Sequence, residues 1–163
     1  MSEPETHQFT ADGLFPNSTL PVLIWRNALP ADAAAMEKTF AENGWSNAWQ
    51  DGIFDYHHFH SNAHEVLGIA RGEVKLMLGG PQGEQFTLRA GDVVAIPAGV
   101  GHCNVGSSAD LLVVGAYPGG AEYDTRRGDP TQYGEALRNV AEVALPASDP
   151  VEGAEGALLR RWQ

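Results

Sequence analysis

The stretch that decides the fold lies near the middle of the chain and reads Tyr56-His57-His58-Phe59-His60-Ser61-Asn62-Ala63-His64-Glu65. Side chains alternate between the two faces of a β-strand, so His58 and His60 are expected to point the same way. Two imidazoles on one face are well placed to bind one metal ion, and Glu65 follows after a short turn with a carboxylate oxygen. His102, distant in sequence, is expected to complete this site from another strand.

The composition is that of a globular protein with one hydrophobic core. The chain has 163 residues, 43% of them hydrophobic, and a formal net charge of −11. This charge repels nucleic acid and anionic membranes, so neither is expected as a partner. The first residues are acidic and polar, unlike a signal peptide, and no apolar run is long enough for a membrane span. The single cysteine, Cys103, cannot form an internal disulfide, so a soluble, cytoplasmic protein is expected.

The middle of the chain has the pattern of an antiparallel β-protein. Short apolar runs alternate with turn signals rich in Gly and Pro, which is typical of a sandwich or barrel. The predicted strands cover residues 66–70, 74–78, 85–88, 93–96 and 111–116. The predicted fold class is therefore all-β.

The flanking regions are predicted to be extensions of one domain that covers residues 1–163. The core barrel is expected at about 51–117, with an N-terminal strand and helix extension over 1–50 and a C-terminal extension over 118–163. Composition suggests a weakly ordered arm up to about residue 20, then a strand at 21–25. Pro30 and Asp32 suit the first turn of a helix that ends at Asn43 and Gly44. The C-terminal extension is expected to be irregular, with a short helix near 133–140.

Two motifs in this chain resemble the paired motifs of the cupin superfamily. The first family motif runs Gly, five residues, His-x-His, three or four residues, Glu, six residues, Gly; the matching positions here are Gly52, His58, His60, Glu65 and Gly72. The second runs Gly, five residues, Pro-x-Gly, two residues, His, three residues, Asn; the matching positions here are Gly91, Pro97, Gly99 and His102, with Gly106 in place of the final Asn. The order and spacing of both motifs make this resemblance more specific than a single His-x-His.

Much of the remaining sequence is similar to one subgroup, the YjlB-like small single-domain cupins of uncharacterised function. The segments that carry this likeness are Asn43-Gly44-Trp45, Asp51-Gly52-Ile53-Phe54, His57-His58, His64-Glu65-Val66-Leu67-Gly68, Pro97-Ala98-Gly99-Val100-Gly101-His102 and Val113-Val114-Gly115-Ala116-Tyr117-Pro118. The resemblance implies a double-stranded β-helix, or jelly-roll barrel, and a homodimer formed by sheet packing. It also implies that His58, His60, Glu65 and His102 bind one divalent transition metal ion such as Fe, Mn, Ni or Zn. Three neutral imidazoles and one carboxylate suit such ions.

Two neighbouring histidines have a different expected position. His57 has the opposite strand parity to His58 and is expected to face away from the metal. His64 should likewise point outward, unless the turn shifts the register and His64 replaces Glu65 as a ligand. Regular alternation would place Glu65 on the same face as Leu67 and Ile69. That face is a better apolar lining for the barrel than the face of His64, Val66 and Gly68, which favours Glu65 as the ligand.

Tyr56 and Asn104 are candidates for the wall of a pocket beside the metal. Tyr56 shares the parity of His58, and a packed aromatic role is an equal alternative. Asn104 has the parity of His102, whereas Cys103 has the opposite parity and is expected to be buried.

The favoured function is a metal-dependent enzyme that acts on a small organic molecule, of the oxygenase, decarboxylase or isomerase type. Glu65 is then either a ligand or a general base that leaves the metal to accept a proton. The alternative is a non-catalytic cupin that binds a metal or a small ligand. A purely structural barrel is a third hypothesis, and a fold shared by many chemistries does not choose among these functions.

Overall fold

The structure is a computed structural model that describes residues 3–163. Within this range the chain forms nine strands, one short 3-10 turn (Pro130–Gln132) and three helices. The strands are β1 (Glu5–Phe9), β2 (Ser18–Trp25), β3 (Trp45–Asp51), β4 (Glu65–Arg71), β5 (Glu73–Leu78), β6 (Glu84–Arg89), β7 (Val93–Ile96), β8 (His102–Ser107) and β9 (Leu112–Pro118). The helices are α1 (Ala33–Glu42), α2 (Tyr133–Glu142) and α3 (Leu158–Arg161). No helix in the described range is both long and apolar enough to cross a membrane.

The strands form two antiparallel sheets that face each other as a jelly roll. The larger sheet has six strands in the order β1-β2-β7-β4-β9-β3, and the smaller has three in the order β6-β5-β8. Every strand pair is antiparallel. The all-β jelly roll expected from the sequence is therefore confirmed.

The central strands of the larger sheet are buried on both faces, which explains their nearly continuous apolar runs. Along β4, Leu67 and Ile69 point into the space between the sheets, whereas Val66 and Ala70 point to the opposite face. The inner core also contains Val22, Ile24, Val74, Leu76, Leu78, Leu88, Val94, Ile96 and Val113. The other face is covered by α1 and by the C-terminal extension.

Helix α1 lies against the larger sheet because the sequence allows a close approach. Asp32 caps the helix by accepting a hydrogen bond from the backbone N–H of Ala35, 3.1 Å away. Met36 and Phe40 are fully buried on the helix face that meets β4. A side chain at Gly68 would lie 2.9 Å from the Met36 sulfur and 3.0 Å from the Phe40 ring, so the bare backbone of Gly68 makes this contact possible.

The observed elements agree with most of the sequence-based boundaries. The helix predicted to end at Asn43 and Gly44 has Glu42 as its last residue and Asn43 as its C-cap. The strand predicted at 21–25 is the second half of β2. Residues 5–9, which composition places in a weakly ordered arm, form β1 and pair with β2. β3 has no counterpart among the strands named from apolar runs, because it is a polar edge strand that pairs only with β9. β1 and β2 join the larger sheet although they lie outside residues 51–117, and the proposed domain boundaries stay a prediction.

The C-terminal extension packs back on the barrel through Trp162 and Leu158. The Trp162 indole N–H donates to the Pro21 carbonyl at 2.8 Å, and its ring lies 4.8 Å from the ring of His64. His64 is buried, and its Nδ1 accepts a hydrogen bond from the Ala98 backbone N–H at 2.9 Å. Burial lowers the pKa of His64 to about 4, so the imidazole is neutral in the folded protein at neutral pH.

We expect His64 to make the free energy of unfolding fall in mild acid. Above pH 6.5 His64 is neutral in both states, but between pH 6.5 and about 4 the unfolded chain binds a proton that the folded protein excludes. For this one group the loss between pH 7 and pH 5 is about 2 kcal/mol. Urea unfolding of chelator-treated protein at both pH values measures it.

The matched variant is His64→Asn, whose side-chain oxygen can still accept from the Ala98 N–H but does not titrate. Its stability is expected to be about 2 kcal/mol less sensitive to this pH change than that of the wild type. Equal pH dependence in the two proteins would contradict the assignment.

Candidate metal centre

Three histidines converge at one end of the space between the two sheets. His58 and His60 lie in the segment between β3 and β4, and His102 is the first residue of β8. The structure joins His58 to His102 by an isolated antiparallel bridge, with backbone N–H to carbonyl distances of 3.1 and 2.8 Å. All three side chains are buried, and one nitrogen from each lies within 4.8 Å of the others.

Backbone carbonyls orient each of these three imidazoles. Nδ1 of His58 lies 2.9 Å from the Tyr56 carbonyl, Nδ1 of His102 lies 3.1 Å from the Val100 carbonyl, and Nδ1 of His60 lies 2.5 Å from the Asp124 carbonyl. A carbonyl can only accept, so each Nδ1 must carry the proton. In the neutral rings the three Nε2 atoms therefore keep their lone pairs, which is the form that binds a metal.

Glu65 brings a carboxylate to the same point. As the first residue of β4 it shares the inward parity of Leu67 and Ile69, and only 2% of its surface is exposed. Its Oε1 lies 3.4 Å from His60 Nε2 and 3.2 Å from His102 Nε2. These separations fit neighbouring ligands around one ion at roughly 2.0–2.2 Å from each. The donor set, imidazole nitrogens and one carboxylate oxygen, suits a divalent transition metal.

The electrostatic environment keeps this carboxylate ionised. Burial alone would raise the pKa of Glu65, but the imidazoles of His60 and His102 hold it well below its usual range. Burial also disfavours the charged form of His58. Together with the neighbouring His102 imidazole, it lowers the pKa of His58 to about 3. His60 differs, because the Glu65 carboxylate offsets the effect of burial and raises its pKa.

The second oxygen of Glu65 is held by a residue that the sequence reasoning did not single out. The hydroxyl of fully buried Tyr117 donates to Glu65 Oε2 at 2.5 Å, and it accepts from the indole N–H of Trp49 at 2.7 Å. The register of β4 against β9 pairs Val66 with Ala116, so Glu65 and Tyr117 are adjacent across the two strands. Strand pairing was the signal needed to find Tyr117, and one sequence does not supply it.

A bulge in β3 aims Trp49 toward the centre. The register against β9 shifts between Ser46 and Trp49, and Asn47 in this interval has a positive φ of 57°. Trp49 then lies over Gly115, where a side-chain carbon would come within 2.2 Å of the indole ring. Gly115 therefore leaves the space in which Trp49 reaches the Tyr117 hydroxyl.

Residues 121–126 of the C-terminal extension, here called the strap, lie against the cluster and contribute Tyr123 and Thr125 to the cavity lining. Within the strap, the Asp124 carbonyl orients His60, and Arg126 pairs with Phe59 through two backbone hydrogen bonds of 2.9 Å. The Arg126 guanidinium ties the strap together through Asp124, 2.8 Å away, and Glu135 of α2. The ring of Tyr123 stacks on Tyr117 at 4.2 Å.

A cavity of about 460 Å³ opens from these residues to solvent. His58, His60, Glu65 and His102 lie in its wall. The other large side chains that line it are Trp49, Ile53, Phe54, Leu67, Tyr117 and Tyr123. Asp51, Gly52 and Thr125 complete the lining. The four sequence-predicted ligands thus share one cavity large enough for a small organic molecule.

The chain is similar in sequence to known proteins. The family model of the cupin domain matches residues 49–115. The curated protein described as "Uncharacterized protein YjlB" of Bacillus subtilis (strain 168) is 44% identical over 161 residues, which cover 98% of this chain and 97% of that protein. The chain belongs to the cupin superfamily.

Solved cupin-like structures are more distant from this cupin. The acireductone dioxygenase from Bacillus anthracis with a cadmium ion in its active centre is 18% identical, with a TM-score of 0.45 over 63% of this chain and 80% of that chain. The sugar 3,4-ketoisomerase QdtA from Thermoanaerobacterium thermosaccharolyticum is 17% identical, with a TM-score of 0.42 over 58% and 74%.

The two predicted pocket residues of this cupin lie outside the cavity lining. Tyr56 stacks on Phe54 with ring centroids 4.8 Å apart, and the Arg127 guanidinium lies 3.4 Å from the Tyr56 ring centroid. Asn104 turns toward a bulge in β8, where its side chain accepts from Gly106 N–H and donates to Ser107. The expectation from parity that these two residues line the pocket is therefore not met, because local stacking and local hydrogen bonds direct both side chains elsewhere.

The remaining histidines of the segment are separate from the cluster. His64 faces Trp162 and Ala98, so it does not take the position of Glu65. The His57 ring lies 6.2 Å from Phe15, on the side away from the cavity lining. Cys103 is buried, as its parity predicts, and is absent from the cluster.

We expect Tyr117→Phe to reduce the stability of the protein. The change leaves Glu65 Oε2 and the Trp49 N–H without their buried partner, which typically costs about 1–3 kcal/mol. Urea unfolding at pH 7 measures the difference. The control is Tyr133→Phe on α2, a half-buried tyrosine outside the cavity, which should stay within about 0.5 kcal/mol of the wild type. Equal stability of the two variants would contradict the role given to Tyr117.

Proposed function

We propose that this cupin is a metal-dependent enzyme that acts on a small organic molecule, with one divalent metal ion bound by His58, His60, Glu65 and His102. The observation that carries the proposal is the hydrogen bonding of the three imidazoles. Each Nδ1 is committed to a backbone carbonyl, so three Nε2 lone pairs face a common point beside an ionised carboxylate. Three imidazole Nε2 atoms and one carboxylate oxygen around one point are the donor set that a divalent metal centre requires.

The four ligands supply only one negative charge, from Glu65. When bound, a divalent ion supplies Lewis acidity toward substrate oxygen, and an octahedral ion with four protein ligands keeps two positions for substrate or water. The open side of the cluster faces the cavity of about 460 Å³, which gives a small molecule access. These features support chemistry of the oxygenase, decarboxylase or isomerase type.

Glu65 is the proposed general base. Its Oε1 faces the cavity between His60 and His102, and its Oε2 is held by Tyr117. When Oε1 leaves the metal, the carboxylate stays anchored through Oε2 and can accept a proton at Oε1. Among residues 3–163 no Lys lines the cavity as an alternative base, and the second carboxylate in the lining is that of exposed Asp51.

Removal of one imidazole tests the metal assignment. We expect His60→Ala to retain the fold and to lose most of the metal that the wild type binds, because one of three nitrogen ligands is gone. Metal content after purification and reconstitution is the measurement, with circular dichroism as the check on folding. His57→Ala is the matched control, since this neighbouring histidine lies outside the cluster and should keep full occupancy. Full metal occupancy in His60→Ala would contradict the proposal.

Turnover separates an enzyme from a non-catalytic binding protein. The experiment is anaerobic reconstitution with Fe(II), Mn(II), Ni(II), Co(II) or Zn(II), followed by a small-molecule screen for oxygen consumption and for product formation. Turnover with one metal, lost in His60→Ala, supports an enzyme. Tight metal binding with no turnover supports a binding protein instead.

A cytoplasmic homodimer is proposed on composition and on the resemblance to cupins. Its oligomeric state is measured by light scattering after size-exclusion chromatography.

A further inference from the structure

The cavity beside the proposed metal site is rich in aromatic residues, and no Lys or Arg among residues 3–163 lines it. Four of its lining residues are aromatic, namely Trp49, Phe54, Tyr117 and Tyr123, and Ile53 and Leu67 add aliphatic surface. Apart from the histidines and Glu65, the charged residue in the lining is Asp51, an exposed carboxylate. Such walls favour contact with a flat apolar group and give little support to an anion.

Two exposed aromatic side chains flank the histidine cluster. Phe54 is 52% exposed and lies 5.2 Å from the His58 ring, while Tyr123 is 38% exposed and lies 4.9 Å from the His60 ring. Both belong to the small set of large hydrophobic residues that the described chain exposes to solvent, and both line the cavity. Exposed aromatic surface at a cavity mouth is typical of a ligand-binding site.

Arg126 of the strap and the adjacent Arg127 have partners outside the cavity. Arg127 lies over the Tyr56 ring at 3.4 Å, and Arg126 is paired with Asp124 and Glu135. Neither guanidinium lines the cavity. A second anionic group on a ligand would therefore meet aromatic walls or Asp51 rather than a cation.

We infer that the ligand of this cavity is a planar aromatic molecule that chelates the metal through an oxygen pair and carries at most one negative charge. The inference rests on the proposed metal function, because the chelating end requires the ion. The ring would lie between Phe54 and Tyr123. A divalent ion bound by three neutral imidazoles and one carboxylate keeps one positive charge, which the single negative charge of the chelating group would balance. Molecules with a further carboxylate or phosphate are expected to be poor ligands.

A matched set of hydroxamates tests the inference, because they chelate through the same oxygen pair. The protein is loaded with Co(II), and its visible d–d bands are titrated with acetohydroxamate, benzohydroxamate and 4-carboxybenzohydroxamate. Benzohydroxamate is expected to bind at least about tenfold more tightly than acetohydroxamate, since its ring contacts the aromatic walls. The added carboxylate is expected to weaken binding about fivefold or more.

Phe54→Ala tests the aromatic contact with little risk to folding, because this side chain is largely exposed. The dissociation constant of benzohydroxamate is expected to rise about fivefold, and its advantage over acetohydroxamate to shrink accordingly. The control is Leu145→Ala, which removes a side chain of similar exposure (50%) outside the cavity and should leave the dissociation constants of both probes unchanged.

The outcomes separate this inference from the metal proposal. Stoichiometric Co(II) bands before ligand is added test metal binding, and their absence would contradict the proposed function and the inference together. With those bands present, equal affinity for the acetyl and benzoyl probes would overturn the inference alone. Binding of the carboxylated probe as tightly as benzohydroxamate, or an unchanged benzohydroxamate affinity in Phe54→Ala, would also overturn it.

Discussion

The site depends on three hydrogen bonds between histidine Nδ1 atoms and backbone carbonyls. These bonds leave the lone pairs at Nε2 and set the orientation of His58, His60 and His102. Two of the carbonyls lie two residues before their own histidine, so they are supplied by local chain geometry. The third comes from Asp124, which the strap brings from 64 residues away. The jelly roll therefore acts as a frame for three backbone acceptors as much as for three side chains.

The ionised Glu65 carboxylate is almost completely buried. A buried carboxylate is unfavourable unless charge and hydrogen bonds surround it. In this cupin His60 and His102 face one oxygen, and Tyr117, held in turn by Trp49, donates to the other. The bulge in β3 and the absence of a side chain at Gly115 give Trp49 the space it needs to reach Tyr117. The barrel wall around Glu65 is thus shaped by the requirements of one charge.

Much of the fold and four of the site residues could be predicted from the sequence. Alternation with period two relates His58 to His60 and, after the turn, Glu65 to Leu67 and Ile69. The apolar runs of β4, β5, β7 and β9 are long enough to recognise. Tyr117, Trp49 and Tyr123 could not be found in this way, because their roles depend on strand register, a bulge and the path of the strap. Parity also predicts Tyr56 and Asn104 as pocket residues, but local contacts direct both side chains away from the cavity lining.

The sequence separation of the His60–Asp124 contact has a consequence for biosynthesis. During translation His58, His60, Glu65 and His102 all emerge before the peptide unit that fixes the His60 tautomer. Until residue 124 leaves the ribosome and the strap docks, the His60 imidazole lacks its hydrogen-bond acceptor. In the nascent chain only His58 and His102 have theirs within reach. Selective capture of a metal ion is therefore expected late, after synthesis of the C-terminal third has begun.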